Sequence, residues 1–198
     1  MDKTKFERIQ KKLSKSTVGI AGLGGLGSNA AVALTRAGIG RLVLVDFDTV
    51  EKSNLGRQYY FLEHIGKKKV NSLKEIIGKI NPKVDLVIHN LKLEKGSMEK
   101  PFKDVDVVIE ALDNAETKTV FIEEILSKLP EKPVIAASGV AGYGHSDRIS
   151  TKRLGKLHMC YDGDAKSSDE DVLMAPRVAI MANWEANIAL EIILGEDH

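Results

Sequence analysis

Short apolar runs alternate along the chain with segments in which apolar residues recur every three or four positions. The apolar runs predict strands at 18–21, 41–46, 84–89, 105–110 and 133–137. The periodic segments predict helices at 3–14, 27–37, 67–80, 116–128 and 172–194. Because the strands are apolar on both faces and alternate with helices, we expect an α/β fold: a Rossmann-like, doubly wound and mostly parallel sheet with helices on both faces.

The alternation ends after residue 139. Residues 142–149 could form one antiparallel strand or a loop, and the polar stretch 163–171 has no periodicity, which predicts a mobile loop. We therefore expect a crossover loop region at 150–175 before the last helix, in whose first turn Pro176 is tolerated. No linker interrupts the chain, so residues 1–198 are expected to form a single domain that begins with a helix within 1–16.

Composition narrows the class of protein. The chain of 198 residues has a formal net charge of +1, so its overall charge favours neither nucleic acid nor a membrane surface as a partner. Residues 1–15 are highly charged and lack the apolar core of a signal peptide, and no apolar run reaches the roughly 20 residues of a membrane span, so we expect a cytoplasmic protein. Cys160 is the only cysteine, which excludes an internal disulfide and a Cys-x-x-Cys zinc site.

A glycine-rich loop follows the first predicted strand and opens a helix. In the pattern Gly22-x-Gly24-x-x-Gly27, the first glycine permits a tight turn, the second lets phosphates approach the backbone, and the third lets the helix pack against the strand. The N-terminus of that helix offers N–H donors and the positive end of its dipole. Asp46 ends the next strand, where an acid binds ribose hydroxyls, so we predict a nucleotide site. The alternative is that the glycines only make a tight turn.

Residues near Asp46 indicate which nucleotide is bound. The loop and Asp46 alone favour NAD or FAD, but the additional glycine, Gly25, makes the loop more open than that fingerprint requires. Arg57 and Lys69 follow in a segment that hydride transfer does not need. A guanidinium can clamp two phosphate oxygens and an ammonium can act as a mobile point charge, which suits a triphosphate. For Lys69, which ends the lysine run 67–69, a solvated helix start is the alternative interpretation.

Two polar residues follow the strand predicted at 105–110. Asp113 and Asn114 come at the carboxyl end of that strand, where ligands lie in open α/β sheets. A carboxylate there would hold Mg²⁺ against phosphates. An Asp or Asn before the helix at 116 could equally cap that helix, and the spacing leaves both interpretations open.

Six motifs keep a fixed order over residues 17–150: Gly22-Leu-Gly-Gly-Leu-Gly27-Ser, Asp46-Phe-Asp-Thr-Val50, Ser53-Asn-Leu-Gly-Arg57-Gln, Gly66-Lys-Lys-Lys69-Val, Ile80-Asn-Pro82 and Leu112-Asp113-Asn114. This combination resembles the ThiF/MoeB/ubiquitin-activating-enzyme superfamily of adenylyltransferases. The segment Met174-Ala-Pro-Arg177-Val and the final helix look like the short ThiF-type proteins associated with thiamine biosynthesis. The resemblance implies binding of ATP and Mg²⁺ and adenylylation of the C-terminal glycine carboxylate of a small ubiquitin-like, ThiS-like sulfur carrier ending in Gly-Gly, with release of pyrophosphate.

The resemblance also implies roles for individual residues. It assigns the nucleotide site to Gly22, Gly24, Gly25, Gly27, Asp46, Asp48, Asn54, Arg57, Lys69, Asp113 and Asn114. Within this set Gly25 would lie against the nucleotide, Asp46 would bind the ribose and Asn54 would help to position the phosphates. Arg57 and Lys69 would hold the phosphates and stabilise charge in the transition state, and Asp113 would coordinate Mg²⁺.

Three features depart from or complete the family pattern. The longer members carry two Cys-x-x-Cys pairs that this chain does not have, so we expect no structural zinc. Lys118 stands five residues after Asp113, where the family usually has an arginine. The family works as homodimers in which an N-terminal arginine reaches the partner subunit's site, so we expect a homodimer, with Arg8 as the candidate before the first strand.

Cys160 lies just before the polar stretch at 163–171. In ThiF-like enzymes a cysteine on the crossover loop can take up the carrier tail or sulfur, and two lysines and a histidine are near Cys160 in sequence, so it is included among the catalytic candidates. A reactive thiolate needs exposure and nearby cations. The alternative is a buried cysteine that acts as a small hydrophobic residue.

Three other functions compete with carrier adenylylation. An NAD-dependent oxidoreductase would explain the glycine loop and Asp46 but leaves Arg57, Lys69 and Asp113 without a role. A superfamily member that activates a carboxylate on a transfer RNA base is disfavoured by the small net charge, which makes nucleic acid an unexpected partner. A non-catalytic carrier-binding module would have no need for the residues that face phosphates.

Overall fold

The computed structural model describes residues 3–164 and 171–195. Within these ranges the chain forms five α-helices: Lys3–Leu13 (α1), Gly25–Ala37 (α2), Lys69–Ile80 (α3), Ala115–Lys128 (α4) and Ala175–Leu194 (α5). The same ranges contain seven strands: Thr17–Ala21 (β1), Arg41–Val45 (β2), Asp85–His89 (β3), Val107–Glu110 (β4), Val134–Ser138 (β5), Ser150–Leu154 (β6) and Leu157–Tyr161 (β7). None of the helices in this described part of the chain is long and apolar enough to cross a membrane.

The strands form one sheet with the order β3-β2-β1-β4-β5-β7-β6. Pairing is parallel throughout except between β7 and β6, the antiparallel strand at one edge. The chain winds from β1 outward through β2 and β3, then returns to the other side of β1 through β4 and β5. The carboxyl ends of β1 and β4 therefore flank the switch point at which open α/β sheets bind ligands. The predicted Rossmann-like, mostly parallel sheet is confirmed.

Helices cover both faces of the sheet, as predicted. Apolar residues of α2, α3 and α5 belong to one buried cluster, whereas Phe121 and Ile125 of α4 belong to a second. Successive strand residues point to opposite faces. Accordingly β4 sends Val107 and Ile109 into the first cluster and Val108 into the second.

Four helices begin one to three residues away from the predicted position, among them α3 at Lys69 rather than 67 and α4 at Ala115 rather than 116. Helix α2 begins at Gly25 rather than at 27, because part of the glycine loop forms its first turn. The last helix begins at Ala175 rather than at 172, with Pro176 in its first turn as predicted. Proline is tolerated there because the first N–H groups of a helix have no partner within it.

The prediction of a crossover loop region is wrong for residues 150–161. They form a β-hairpin in which Leu154 pairs with Leu157. Strand β6 is exposed along its whole length and carries Lys152 and Arg153, so it has no apolar alternation to reveal it. The two-residue turn begins at Gly155, whose φ is 61°. A glycine at the first central position is a hairpin signal, so the sequence did carry a cue to this turn.

The residues between β5 and the hairpin form a loop. Of the two structures considered for 142–149, the loop is therefore the one that forms, and the antiparallel strand is not. This loop contains one short 3-10 turn, Ser146–Arg148. Of the polar stretch expected to be a mobile loop, residues 165–170 lie outside the described residues.

Candidate functional site

A cavity of about 620 Å³ opens at the carboxyl ends of β1, β2, β4 and β5. Most of the residues selected from the sequence line it: Gly22, Gly24, Gly25, Asp46, Asp48, Arg57, Lys69, Asp113 and Asn114. Gly27, Asn54 and Cys160 lie outside the set of described residues that form the lining. The fold thus brings five of the six sequence motifs together around one space.

Two glycines shape the loop after β1. Gly22 has a φ of 88°, and a Cβ there would lie 2.5 Å from the carbonyl oxygen of Ala111. A Cβ at Gly27 would lie 1.9 Å from the carbonyl oxygen of Gly22. Both contacts are with backbone, which cannot move aside without changing the loop. A side chain is therefore excluded at the turn and at the close approach of α2 to β1, two of the three places at which the sequence predicts that glycine is needed.

The N-terminus of α2 faces the cavity without a side-chain cap. Gly24 occupies the cap position, and Gly24, Gly25 and Leu26 line the cavity. The first N–H groups of a helix have no partner within it and carry the positive end of the helix dipole. This end of α2 is therefore suited to an anion such as a phosphate group.

Gly25 also lies against the last helix. A Cβ at this position would lie 2.8 Å from Cγ1 of Val178, in the first turns of α5. Gly25 therefore does more than open the loop, because the absence of a side chain there lets α5 approach the cavity. This contact joins residues that are far apart in sequence, and the glycine motif alone does not reveal it.

Asp46 is held by the backbone at the mouth of the glycine loop. Its Oδ2 accepts a hydrogen bond from the N–H of Leu23 at 2.7 Å, and its Oδ1 accepts one from the N–H of Asp48 at 2.7 Å. The residue is only 9% exposed, yet it lines the cavity. An ionised carboxylate has about four acceptor positions, so each oxygen can accept a further hydrogen bond, for example from a sugar hydroxyl.

Lys69 is buried at the start of α3, so the solvated-helix interpretation is wrong for this residue. It is 6% exposed, and its Nζ donates to Oδ2 of Asp48 at 2.8 Å. The neighbouring Lys67 instead lies at the surface and pairs with Glu75. Asp48, which was expected to contact the cofactor, thus lies on the cavity wall mainly as the partner of Lys69.

Arg57 and Asn54 differ in position although they belong to one motif. Arg57 is half-buried on the cavity wall, where its Nη1 donates to the carbonyl oxygen of Ser53 at 3.2 Å. The side-chain oxygen of Asn54 accepts the N–H of Glu51 at 3.1 Å and closes a short 3-10 turn. Asn54 therefore shapes the turn that precedes Arg57, and the expectation that it lies at the phosphates is not supported.

The two polar residues after β4 divide the roles that the sequence left open. Asn114 caps α4, because its Oδ1 accepts the N–H of Thr117 at 2.9 Å. Asp113 is exposed and lines the cavity. The cap is thus supplied by Asn114, and the carboxylate of Asp113 is presented to the cavity.

Asp113 fits the role of a Mg²⁺ ligand only in combination with a phosphate ligand. Among residues 3–164 and 171–195, no group of three or more His, Cys, Asp and Glu side chains is arranged to hold a metal ion. Mg²⁺ commonly binds through one or two carboxylates, and phosphates and waters supply its other oxygen ligands. One carboxylate on the wall of a phosphate-binding cavity is consistent with that donor set.

Cys160 does not meet the requirements of a reactive thiol. Its exposed fraction is 0%, and within the sheet Cys160 of β7 pairs with Ala137 of β5. Burial is the main cause that raises the pKa of the Cys160 thiol, to about 12. The prediction that Cys160 is catalytic is therefore not supported, and the structure favours the alternative of a buried small hydrophobic residue.

Three residues on the rim of the cavity were missed in the sequence. Phe47 is 47% exposed and Leu91 is 39% exposed, and both line the cavity. Nζ of Lys92 lies 5.7 Å from the centre of the Phe47 ring. Phe47 stands between the two aspartates of one motif, which was a usable signal, whereas Leu91 and Lys92 follow β3 without any motif.

Lys118 on the cavity wall forms an ion pair with the buried Glu110. Nζ of Lys118 bonds to Oε2 of Glu110, and Lys118 also lines the cavity. Burial raises the pKa of the Glu110 carboxyl, and the neighbouring Lys118 offsets part of that effect. Glu110 was missed because it ends an otherwise apolar strand, and only its charge in that run could have marked it.

The wall opposite Asp46 consists mainly of small side chains. It is formed by Ala137, Ser138, Gly139, Val140 and Ala141, together with Leu173 and Val178. The sequence showed no motif in these residues, which come from three separate segments. The cavity therefore has a charged side built from motifs and an apolar side built by packing.

Curated relatives share most of this chain but are longer. The adenylyltransferase and sulfurtransferase UBA4 of Kluyveromyces lactis is 29% identical over 202 residues, covering 98% of this chain and 45% of the relative. The tRNA threonylcarbamoyladenosine dehydratase of Bacillus subtilis is 34% identical over 148 residues, covering 74% of this chain and 58% of the relative. This chain thus spans about half the length of these relatives.

Solved structures share the fold. The Escherichia coli tRNA N6-threonylcarbamoyladenosine dehydratase TcdA, in complex with AMP, has a TM-score of 0.86 at 20% identity, covering 94% of this chain and 89% of that one. Escherichia coli MccB with ATP has a TM-score of 0.73 at 22% identity, covering 93% of this chain and 57% of that one. A profile of the ThiF family matches residues 3–198, and this protein therefore belongs to the ThiF family.

Proposed function

We propose that this protein is an adenylyltransferase that transfers AMP from ATP to the C-terminal glycine carboxylate of a small ubiquitin-like sulfur carrier. The observation that carries the proposal is the convergence of Asp46, Arg57, Lys69 and Asp113 on one cavity at the N-terminus of α2. Membership in the ThiF family supports this chemistry, as does the name of the UBA4 relative, an adenylyltransferase and sulfurtransferase.

The cavity can hold each part of ATP. The phosphates would lie at the uncapped start of α2 and the ribose would donate its hydroxyls to Asp46. Phe47 and Leu91 offer exposed apolar surface on the same side of the cavity, and the base would cover it. An aromatic side chain and a base have matching flat faces, which favours stacking.

The reaction needs charge neutralisation more than proton transfer. An ionised carboxylate oxygen would form a bond to the α-phosphorus while the bond to pyrophosphate breaks, so no base is needed to activate the nucleophile. Arg57 and Lys69 would stabilise the negative charge that develops on the phosphate oxygens. Mg²⁺, with Asp113 as its protein ligand, would supply further neutralisation of the phosphates.

Asp48 would keep Lys69 oriented between substrates. The Lys69 ammonium donates to Asp48 at 2.8 Å and is otherwise enclosed by the protein, at 6% exposed. A long lysine side chain loses conformational freedom when it binds a phosphate. Holding it in place beforehand reduces that loss when ATP binds.

The wall of small residues supports a carrier tail as the second substrate. Side chains no larger than valine line the cavity from 137 to 141, opposite Asp46. A tail that ends in Gly-Gly has no side chains at its last two positions, and it would fit against such a wall. We extend the proposal to a homodimer and to the thiazole branch of thiamine biosynthesis, on the likeness of the segment 174–178 to the short ThiF-type proteins.

A carboxylate on a transfer RNA base is the second candidate substrate. It is favoured by the relative from Bacillus subtilis, which is named as a tRNA threonylcarbamoyladenosine dehydratase and is 34% identical over 148 residues. The formal net charge of +1 does not favour a polyanionic partner. An NAD-dependent reaction would leave Arg57 and Lys69 unexplained, and ThiF membership gives it no support.

Exchange of radiolabelled pyrophosphate into ATP tests the proposal. We expect exchange with Mg²⁺ and a ThiS-like carrier that ends in a free Gly-Gly carboxylate, and none with the same carrier ending in a carboxamide. Exchange that requires transfer RNA with a carboxylated base would favour the second candidate. Tight NAD binding with no exchange for either substrate would contradict adenylylation.

A further inference from the structure

Arg177 is a buried arginine in the first turn of α5. Its side chain is 3% exposed, and its Nη2 lies 2.5 Å from Oδ2 of Asp162, whose side chain is 4% exposed. Asp162 follows β7, so this ion pair joins the end of the hairpin to the last helix. Burial opposes ionisation of Asp162, but the N–H of Asp164 and the Arg177 guanidinium prevail and hold the pKa of its carboxyl below the ordinary value.

The same guanidinium binds the loop that follows β5. Nη1 of Arg177 donates to the carbonyl oxygens of Gly144 at 3.1 Å and His145 at 3.4 Å, and Nη2 donates to that of Gly139 at 3.4 Å. The planar guanidinium therefore donates hydrogen bonds to carbonyls at both ends of the seven-residue loop 139–145. The five N–H donors of arginine are fixed in a fork, which a lysine ammonium cannot reproduce.

This loop has an unusual backbone. Gly139, Gly142 and Gly144 have φ values of 75°, 86° and 70°, and His145 has a φ of 49° although it is not a glycine. Left-handed residues reverse the chain repeatedly and turn carbonyls inward, and outside glycine this conformation is uncommon and strained. The loop belongs to no helix or strand apart from one bridge between Gly142 and Leu173, where the N–H of Gly142 donates to the carbonyl oxygen of Val172 at 2.8 Å. Arg177 adds side-chain hydrogen bonds to three of the loop's carbonyls.

The loop held by Arg177 is part of the cavity wall. Gly139, Val140 and Ala141 line the cavity, and so does Val178, the residue after Arg177. The charged residues proposed to hold ATP follow β1, β2 and β4, whereas this wall follows β5. A change in the loop should therefore reach the second substrate before it reaches the nucleotide.

We propose that Arg177, paired with Asp162, is a positioning residue for the carboxylate substrate: it fixes the wall at 139–141 against which the tail of that substrate lies. The inference rests on the proposed adenylylation and adds a determinant of acyl-substrate binding to it. Arg177 makes no contact with the reacting atoms in this role. It acts through the three loop carbonyls.

A kinetic split between the two substrates tests this role. In Arg177→Lys we expect the KM for a ThiS-like carrier ending in Gly-Gly to rise about tenfold, because the fork is lost while a positive charge remains. The Kd for a non-hydrolysable ATP analogue should stay within about twofold of the wild-type value. Arg153→Lys is the matched control, because Arg153 is exposed on β6, and it should change neither quantity.

A double variant separates positioning from stability. Arg177→Met alone leaves Asp162 buried and unpaired, so it should lower the melting temperature. Arg177→Met with Asp162→Asn removes the unpaired charge and should recover much of that temperature, but the KM for the carrier should remain raised. A KM that recovers together with stability would assign Arg177 a structural role only.

Amide hydrogen exchange gives a readout that does not depend on activity. We expect faster exchange over 139–145 in Arg177→Lys and unchanged exchange over 69–80, the helix that carries Lys69. Equal increases in the KM for the carrier and the Kd for the ATP analogue, or no increase in either, would overturn the inference while leaving the proposed function standing. A wild-type protein without pyrophosphate exchange for any carboxylate would overturn both.

Discussion

The two sides of the cavity are built in different ways. The charged side takes its glycine loop, Asp46, Arg57 and Lys69 from motifs within one stretch, 22–69. Backbone N–H groups of this stretch hold Asp46, and Asp48 holds Lys69. The apolar side takes its residues from the end of β5 and the loop after it, from Leu173 and from α5 itself, and the buried Arg177 binds carbonyls at both ends of that loop. Most of the residues proposed to bind the nucleotide therefore come from one stretch of sequence, whereas the shape offered to the second substrate depends on tertiary structure.

The largest effect is expected on the charged side, at the loop glycines. In Gly27→Ala the new Cβ would lie 1.9 Å from the carbonyl oxygen of Gly22, so α2 would have to move away from β1. We expect a loss of roughly 1–3 kcal/mol in the free energy of unfolding, as for other overpacked sites, together with loss of ATP binding. Denaturant titration and calorimetric binding measure the two effects.

Gly78→Ala is the control for this substitution. A Cβ at Gly78 meets nothing within 4 Å, and the residue lies in the interior of α3. Alanine is favoured over glycine there by roughly 0.5–1 kcal/mol, so this variant should be more stable than the wild type. Similar losses in both variants would contradict the argument from close approach.

Removing the buried cation should impair catalysis more than stability. In Lys69→Met the cavity loses a charge that faces the phosphates, and we expect kcat for pyrophosphate exchange to fall about 10²–10³-fold. The side chain of Asp48 is 41% exposed, so water can solvate it once Lys69 is gone. Lys79→Met, on the exposed face of the same helix, should keep wild-type kinetics. Equal kinetics in the two variants would remove Lys69 from the mechanism.

The buried carboxyl of Glu185 in α5 should make the stability of the folded protein depend on pH. Glu185 of α5 is 0% exposed, and neither carboxyl oxygen has a hydrogen-bond partner among the described residues. Burial raises the pKa of Glu185 well above its ordinary value; Lys118 offsets part of this effect, and Glu110 adds to it. The folded state therefore binds a proton that the unfolded state releases.

The sign of this effect follows from proton linkage. The contribution of protonated Glu185 to the free energy of unfolding is complete below the pKa of glutamate in the unfolded chain, about 4.3. It is lost as the pH rises through the pKa of Glu185 in the folded state. We expect the melting temperature of the wild type to fall from pH 5 to pH 8 more steeply than that of Glu185→Gln, which keeps the shape without the titration. Parallel pH profiles would contradict a neutral, buried Glu185.

The smallest effect is expected at Cys160, which lies in β7 and outside the lining of the cavity. The thiol is fully buried and its pKa is raised to about 12, so it should react with an alkylating reagent only after unfolding. In Cys160→Ala the rate of pyrophosphate exchange should stay within about twofold of wild type, since adenylylation does not need a thiol nucleophile. Rapid labelling of the native protein would restore Cys160 as a candidate nucleophile.

Sequence patterns predicted more of the sheet and the charged side than of the apolar side. Helix α4 and strand β4 carry regular apolar patterns, which predict them. Gly22 and Gly27 are predictable because a Cβ at either position would clash with a backbone carbonyl. Strand β6 could not be found by pattern because it is an exposed edge strand with charged residues. Burial also decides roles that spacing leaves open, as Lys69 shows, since only its exposure distinguishes it from Lys67.

The central claim, that the cavity adenylylates a carboxylate with Mg²⁺ held by Asp113, is tested most directly by pyrophosphate exchange in Asp113→Ala beside Asp104→Ala. Asp113 lines the cavity, whereas Asp104 is exposed near the opposite end of β4. We expect carrier-dependent exchange in the wild type and in Asp104→Ala, and a loss of at least about 10²-fold in Asp113→Ala that excess Mg²⁺ reduces. Equal exchange in the two variants, or no exchange in the wild type, would contradict it.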